Sequence, residues 1–365
     1  MLKPTIKRLN DSLNIIWTIA AKDIVDALRN RLVLSLILLM SMIIFLPKML
    51  VLIFEQPKIT LPVYDLGDSQ AVAALKNEPD IAVQELPSEQ EFDSALCGAL
   101  FPQIGLRIPA DFDQVITAGG PIELQGTVCW GKRHQVADLK PKLEEILSQS
   151  LGVPVTLNPQ DRIVYPPEQG LLFLSTATLN AVLAILLIGV FLVPSLLFEE
   201  KQTRTMQALL VSPASTGQVV TGKALAGAFY ILVTGAVMFA ISWEEVIHWD
   251  IVILFVVGGG FLSVAIGLLL GSFYEKQQDI IGWMSVLLLF LIGTILVKML
   301  GLEMPALVES ILPWTPSLAL AEIYRAAFTE TVVPAHVLTN LAVVVAFSLP
   351  LYAVVIWKIQ RSDRF

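Results

Sequence analysis

Six long apolar runs divide this chain, at 32–54, 171–198, 224–241, 251–273, 280–300 and 335–357. A helix needs roughly 17–25 predominantly apolar residues to cross a bilayer, so each run predicts a membrane span. Ahead of the first run, Leu13, Ile16, Trp17, Ala20 and Ile24 recur at helical spacing among Lys3, Lys7, Arg8, Lys22, Arg29 and Arg31. That pattern predicts an amphipathic helix on the inner membrane surface. The first run starts late, is long, and is followed by no small-x-small cleavage site, so it reads as an uncleaved anchor. Pro47 predicts a kink in it, and Lys48 fits either snorkelling or a substrate path.

The interval between the first two runs has a different period. Strand signals at 59–64, 81–86, 103–108, 122–130 and 153–157 alternate with helix signals at 69–76, 88–96, 109–116 and 136–151. Ser69 is the expected cap of the first of these helices, Ser88-x-x-Glu91 is a capping box, and Pro109 sits near a first helical position. Alternating strands and helices predict an α/β domain. The expected fold is therefore a membrane all-α bundle of six transmembrane helices, with an extracytoplasmic α/β domain inserted between the first and second spans.

Later intervals are short. Trp243-Glu-Glu and His248-Trp249-Asp form an acidic loop without Lys or Arg, whereas Lys358, Arg361 and Arg364 follow the last run. The positive-inside rule then puts both termini in the cytoplasm of a multi-pass plasma-membrane protein. Gly258-Gly259-Gly260 and Gly267-x-x-x-Gly271 predict close helix packing. Lys298, near the outer end of the fifth run, reads as snorkelling. Interval 301–334 contains Pro313 and Pro316, then Leu318, Ala321 and Ile323 mixed with Glu322 and Arg325. It predicts an amphipathic segment, outside or partly re-entrant, and not a span.

Composition agrees with a membrane protein. Of 365 residues, 55% are hydrophobic and 15% charged, with mean hydropathy +0.71, where soluble domains carry roughly 25% charged residues. The net charge of −8 is uneven: residues 55–168 hold 17 acids and 8 bases. Acidity confined to one soluble domain argues against nucleic acid as a partner. Cys97 and Cys129 both lie there. A disulfide is chemically allowed if the domain faces outside, and two buried thiols is the alternative. His134, His248 and His336 are scattered, so no metal site is expected. Gly126-x-x-x-x-Gly131-Lys132 and Gly217-x-x-x-x-Gly222-Lys223 begin like phosphate-binding loops, but Arg133 and Ala224 stand where Ser or Thr must hold magnesium. No catalytic residue and no bound cofactor are expected in this chain.

The polar segment 198–223, between the second and third runs, carries the most specific signal. Met206, Leu209 and Leu210 are spaced to form one apolar stripe, with Lys201 and Arg204 largely off it and Ser212-Pro213 as a stop. Glu200, Lys201, Thr205, Leu209, Leu210, Ser212, Pro213, Gly222 and Lys223 together resemble the coupling segment of ABC-transporter permeases of the type-two exporter family. The α/β insert resembles that of the sodium- and drug-exporter branch. Three departures, Gln202, Arg204 and Gln207, stand where the family has an acid, Gly and an acid, and they bear on which ATPase the segment fits.

The resemblance implies a permease subunit of an ATP-driven exporter, dimeric with an identical or related second permease subunit. It docks a separate ABC ATPase subunit that holds ATP and magnesium. It also implies an elbow helix at 1–31, the first span at 32–54, the α/β domain at 55–168, and a five-span bundle at 169–358 before a cytoplasmic tail at 359–365. Within the bundle lie the coupling segment 198–217 and an outer re-entrant segment 301–334. Pro313, Pro316 and Arg325 match the family's outer turn and re-entrant helix, with an outer gate or simple interface anchoring as their roles. A reading of a different class is a membrane-anchored sensor or envelope assembly factor whose outer domain binds a ligand. An intramembrane enzyme would need paired polar catalytic groups that the spans lack. The cargo, whether lipid, drug, peptide or ion, is not written in the sequence, although nearly uncharged spans suit a hydrophobic or amphipathic one.

Overall fold

The computed structural model describes residues 2–29, 34–35, 38–39, 42, 58–67, 69–99, 103–117, 122–165, 172–202, 215–274, 277–300 and 304–362. The first apolar run, with Pro47 and Lys48, lies almost entirely outside the described residues.

The amino-terminal helix α1 is Leu2–Arg29. A five-stranded sheet follows, built from β1 (Ile59–Asp65), β2 (Ile81–Glu85), β3 (Gly105–Ile108), β4 (Ile122–Cys129) and β5 (Val155–Val164). Its helices are α2 (Gln70–Lys76), α3 (Glu89–Gly98), α4 (Phe112–Thr117) and α5 (Leu139–Leu151). The strand order is β2-β1-β3-β4-β5, parallel except between β3 and β4. Leu61, Val63, Leu106, Ile108, Leu124 and Val128 meet Leu143 and Leu147 of α5 in one dry core. Local signals set the helix ends. Ser88 accepts from the Glu91 amide at the start of α3, and Gly152, at φ 68°, terminates α5 in the left-handed conformation that favours glycine.

One strand differs from the expectation. The segment expected at 153–157 continues to Val164. Pro159 and Asp161 obscure its alternation, and the ladder with β4 is irregular between Gln125 and Thr127. A strand accepts proline at such a bulge, after which Thr127, Val128 and Cys129 pair with Arg162, Ile163 and Val164.

Five helices are long and apolar enough to cross a membrane among the described residues. They are α6 (Leu172–Gln202), α7 (Thr216–Ile241), α8 (Trp249–Phe273), α9 (Gln277–Met299) and α12 (Pro334–Ser362). Two short helices, α10 (Ala306–Ile311) and α11 (Pro316–Ala326), lie between the last two, joined by a tight turn at Leu312–Trp314. Helix α8 is central, touching α6, α7, α11 and α12. Its glycines explain why. A methyl group at Gly267 would collide with the Gly189 carbonyl of α6, and one at Gly259 would lie 2.8 Å from Ile185. Without side chains at those positions, the two backbones approach closely and gain dispersion contacts along their length.

Helix α11 is a buried hairpin arm, not a surface helix. Leu318, Ala319, Leu320, Ala321 and Ile323 are buried, and the Tyr324 ring packs against Phe239, Phe255 and Phe328 with centroids 6.0, 5.3 and 4.8 Å away. Trp314, Leu307 and Ile311, at the approach to it, stay exposed. The Ala327 carbonyl accepts from the Ile247 and His248 amides, so the carboxyl end of α11 reaches the loop between α7 and α8. That loop also supports the α/β domain: Arg133 donates to the Glu244 carbonyl at 2.9 Å.

Candidate functional site

Residues 203–214 lie outside the described residues, and Arg204, Thr205, Leu209, Leu210, Ser212 and Pro213 fall there. Glu200 and Lys201 belong to the last turn of α6. Both flanks of the polar segment are described, and one side chain gathers them.

That side chain is Lys223. Its ammonium donates to Asp23 Oδ2 of α1 at 3.0 Å and to the Leu196 carbonyl of α6 at 2.9 Å. The Lys223 and Asp23 side chains are 1% and 6% exposed. Leu196 precedes the polar segment and Lys223 is its last residue, so one buried cation pins both ends of the segment and ties them to α1. The local sequence explains how. Ser215 caps α7 through a reciprocal box with Gln218, and the Gln218 amide then reaches Ser12 Oγ at 2.7 Å. One turn on, Gly222 lets α1 approach: a methyl group there would lie 2.8 Å from Ile19 Cγ2 and 3.1 Å from the Ile16 carbonyl. Two turns beyond that, the Tyr230 hydroxyl donates to the Ile24 carbonyl. Burying an ammonium is costly unless it is paired and hydrogen-bonded, and removing one partner of such a pair costs about 3–5 kcal/mol.

Among the described side chains of α1, Ala20, Asp23 and Ala27 are buried, while Leu13 and Trp17 of the expected stripe are exposed. The helix turns its small and acidic side to α7. Its bulky apolar side chains Leu13, Trp17, Val25 and Leu28 are left exposed.

The other end of the bundle carries Pro313, Pro316 and Arg325. Pro313 lies in the turn at Leu312–Trp314, and Pro316 is the first residue of α11. Arg325 stands nine residues further on, about 13 Å along the helix. The prolines shape the hairpin, and Arg325 instead joins Lys298 and Glu322. The Lys298 ammonium meets Glu322 Oε1 at 2.5 Å. Arg325 Nη1 lies 3.7 Å from the same oxygen.

Cys97 and Cys129 are joined in a disulfide, linking the end of α3 to the end of β4. Both half-cystines and Val164 pack with the apolar cluster of the helix bundle, so the bond sits at the foot of the α/β domain. Beside it, Trp130 stacks on Tyr165 at 5.3 Å and under the Arg133 guanidinium at 3.7 Å. Lys132 donates to the Ala99 carbonyl. Burial pushes its pKa down to about 8, against the partial opposition of the Glu245 carboxylate. The lysines of the two phosphate-loop-like stretches thus serve other ends, Lys132 on Ala99 and Lys223 on Asp23. No cluster of His, Cys, Asp or Glu suited to a metal occurs among the described residues.

Sequence reasoning singled out Lys223 only as part of a Gly-Lys motif and did not single out Asp23. Their separation of 200 residues leaves no local signal. An acid on the small-residue side of α1 was the only clue.

The family model described as "ABC-2 family transporter protein" matches residues 32–357. No curated protein matches the chain.

Proposed function

The chain belongs to the ABC-2 family of transporters, and from that premise we propose that it is the permease half of an ATP-driven exporter. Family membership makes it a multi-pass membrane component of an ABC transporter. The further reading is that six spans leave both termini in the cytoplasm and the α/β domain, 55–168, outside the cell. Two permease subunits, identical or related, line a central path. Two ATPase subunits hold ATP and magnesium and seat against the segment 198–217, through Glu200, Lys201, Arg204, Thr205, Leu209, Leu210, Ser212 and Pro213. The hairpin with Pro313, Pro316 and Arg325 closes the outer mouth.

The observation that carries this reading is the Lys223 hub. A segment that converts ATPase motion into movement of spans must not be loosely tethered. Here its two flanks and α1 share one buried ion pair with the Leu196 carbonyl. A push on the segment therefore moves α1, α6 and α7 together. Nearly uncharged spans suit a hydrophobic or amphipathic cargo, and the α/β insert resembles that of the sodium- and drug-exporter branch.

The test is Leu209→Glu with Leu210→Glu in the reconstituted transporter. ATP-driven transport should fall to background while the melting temperature holds within a degree or two of the parent. Transport at the parent's rate would contradict the coupling role. A second reading, a sensor with an outer ligand-binding domain, draws on an open groove of that domain lined by Glu89, Asp93, Arg162 and Tyr165. It predicts no ATPase in the complex.

A further inference from the structure

We propose that the cavity between α9, α11 and α12 is a binding site for a phosphate group, carried on the head of an amphiphile in the adjoining leaflet. The cavity measures about 120 Å³ and is lined by Lys298, Glu322, Arg325, Thr331, His336 and Asn340, among others. Sites that enclose a whole drug-sized molecule run to roughly 300–1,000 Å³. This one has room for a single polar head.

The donor set suits an oxyanion. A guanidinium and an ammonium face one cavity with only Glu322 as counter-charge, and the threonine hydroxyl and asparagine amide add neutral donors. Glu322 is committed to Lys298 at 2.5 Å. Arg325 stands 3.7 Å from it, beyond hydrogen-bond reach. Arg325 Nε is also buried with no partner. The Arg325 guanidinium lines the cavity with donor capacity that Glu322 does not take up, and an anion completes it. Glu322 acts as the internal stand-in: a bound phosphate takes over Arg325 and shares Lys298.

The position fits a lipid-borne head. Lys298 lies next to the end of α9, and Asn340 lies two turns into α12. The cavity is thus at the end of the bundle that supports the α/β domain, at headgroup depth, beside exposed Val333 and Leu338. An acyl chain can lie along that apolar surface while its phosphate enters. That the leaflet is the outer one rests on the topology proposed above. Binding itself does not, and this separates failure of the site from failure of the topology.

The experiment is native mass spectrometry of the full chain in a neutral detergent, with phosphatidylglycerol, diacylglycerol or inorganic phosphate added. Phosphatidylglycerol should be retained and diacylglycerol should not. Arg325→Gln should weaken retention about tenfold, the loss expected for one charge-assisted hydrogen bond. Glu322→Gln should strengthen it several-fold, a gain that a misfolded variant would not give. Inorganic phosphate that displaces the lipid at micromolar concentration would assign the site to free phosphate. Displacement only at tens of millimolar would assign it to the lipid head. Equal retention of diacylglycerol, or weaker retention by Glu322→Gln, would overturn the proposal.

Discussion

Lys223 of α7 and Asp23 of α1, 200 residues apart in sequence, form a buried ion pair at 3.0 Å. The same ammonium holds the Leu196 carbonyl, so the pair is a junction of three helices at the root of the polar segment. Asp23→Asn leaves the Lys223 charge buried and half-partnered. It should cost about 3–5 kcal/mol, read as a lower denaturation midpoint of the purified chain. Asp23→Asn combined with Lys223→Met removes both charges and should recover most of that loss. If the double variant is as unstable as the sum of the single ones, the two residues are not coupled.

Gly222 sets the distance between the same two helices. A methyl group there must displace Ile19 or the α1 backbone. Gly222→Val should therefore cost about 1–3 kcal/mol by overpacking. A pair of spectroscopic labels at exposed Trp17 of α1 and exposed Leu225 of α7 should report a wider separation. Unchanged distance and stability would mean that α1 does not depend on that contact.

The disulfide closes a loop of 32 residues between Cys97 and Cys129. In the chain-entropy account such a link contributes about 3–4 kcal/mol. Cys97→Ser, or treatment with a thiol reductant, should lower the stability of the α/β domain by that order. Because both cysteines pack against the helix bundle, the loss should also expose the foot of the domain to protease. Equal protease resistance with and without reductant would contradict this.

Lys132 supplies a pH dependence. Its pKa is about 8 in the folded chain and 10.5 as the ordinary value, and the principal cause is burial. Below pH 8 both states are protonated, and the charge burdens the folded state in full. Between pH 8 and 10.5 the unfolded chain still binds the proton while the folded chain has lost it, so stability rises with pH. The parent's melting temperature should climb relative to Lys132→Met across that window and run parallel to it below. A parallel course throughout would show that Lys132 is not a buried cation.

The last five expected spans were legible because a run of 20 apolar residues outweighs any tertiary context, and the first lies almost entirely outside the described residues. The strand and helix order of the α/β domain was legible from short-range period and caps such as Ser88. Pro159 and Asp161 hid the second half of β5, where residues 159–161 stand opposite the single residue Gly126 of β4 before regular pairing resumes at Arg162. The stripe on α1 was visible, but not which side met protein. That depended on Gly222 and Lys223, and only the fold brings them to Ile19 and Asp23. Likewise the partner of Lys298 was hidden, because Glu322 stands 24 residues on and only the fold brings it near. With two cysteines only one pairing existed, yet whether they bond depends on the approach of α3 to the end of β4. The residues proposed for coupling were read from motif alone, and most of them, within 203–214, lie outside the described residues.

The most direct test of the central claim is co-purification of the tagged full chain in gentle detergent, with mass spectrometry of what accompanies it. An ATPase subunit in near-equal amount, lost in the Leu209→Glu, Leu210→Glu chain that keeps its melting temperature, is the predicted result. Absence of any ATPase from the parent complex, with no ATPase activity in membranes that depends on this chain, would contradict the exporter reading and favour the sensor.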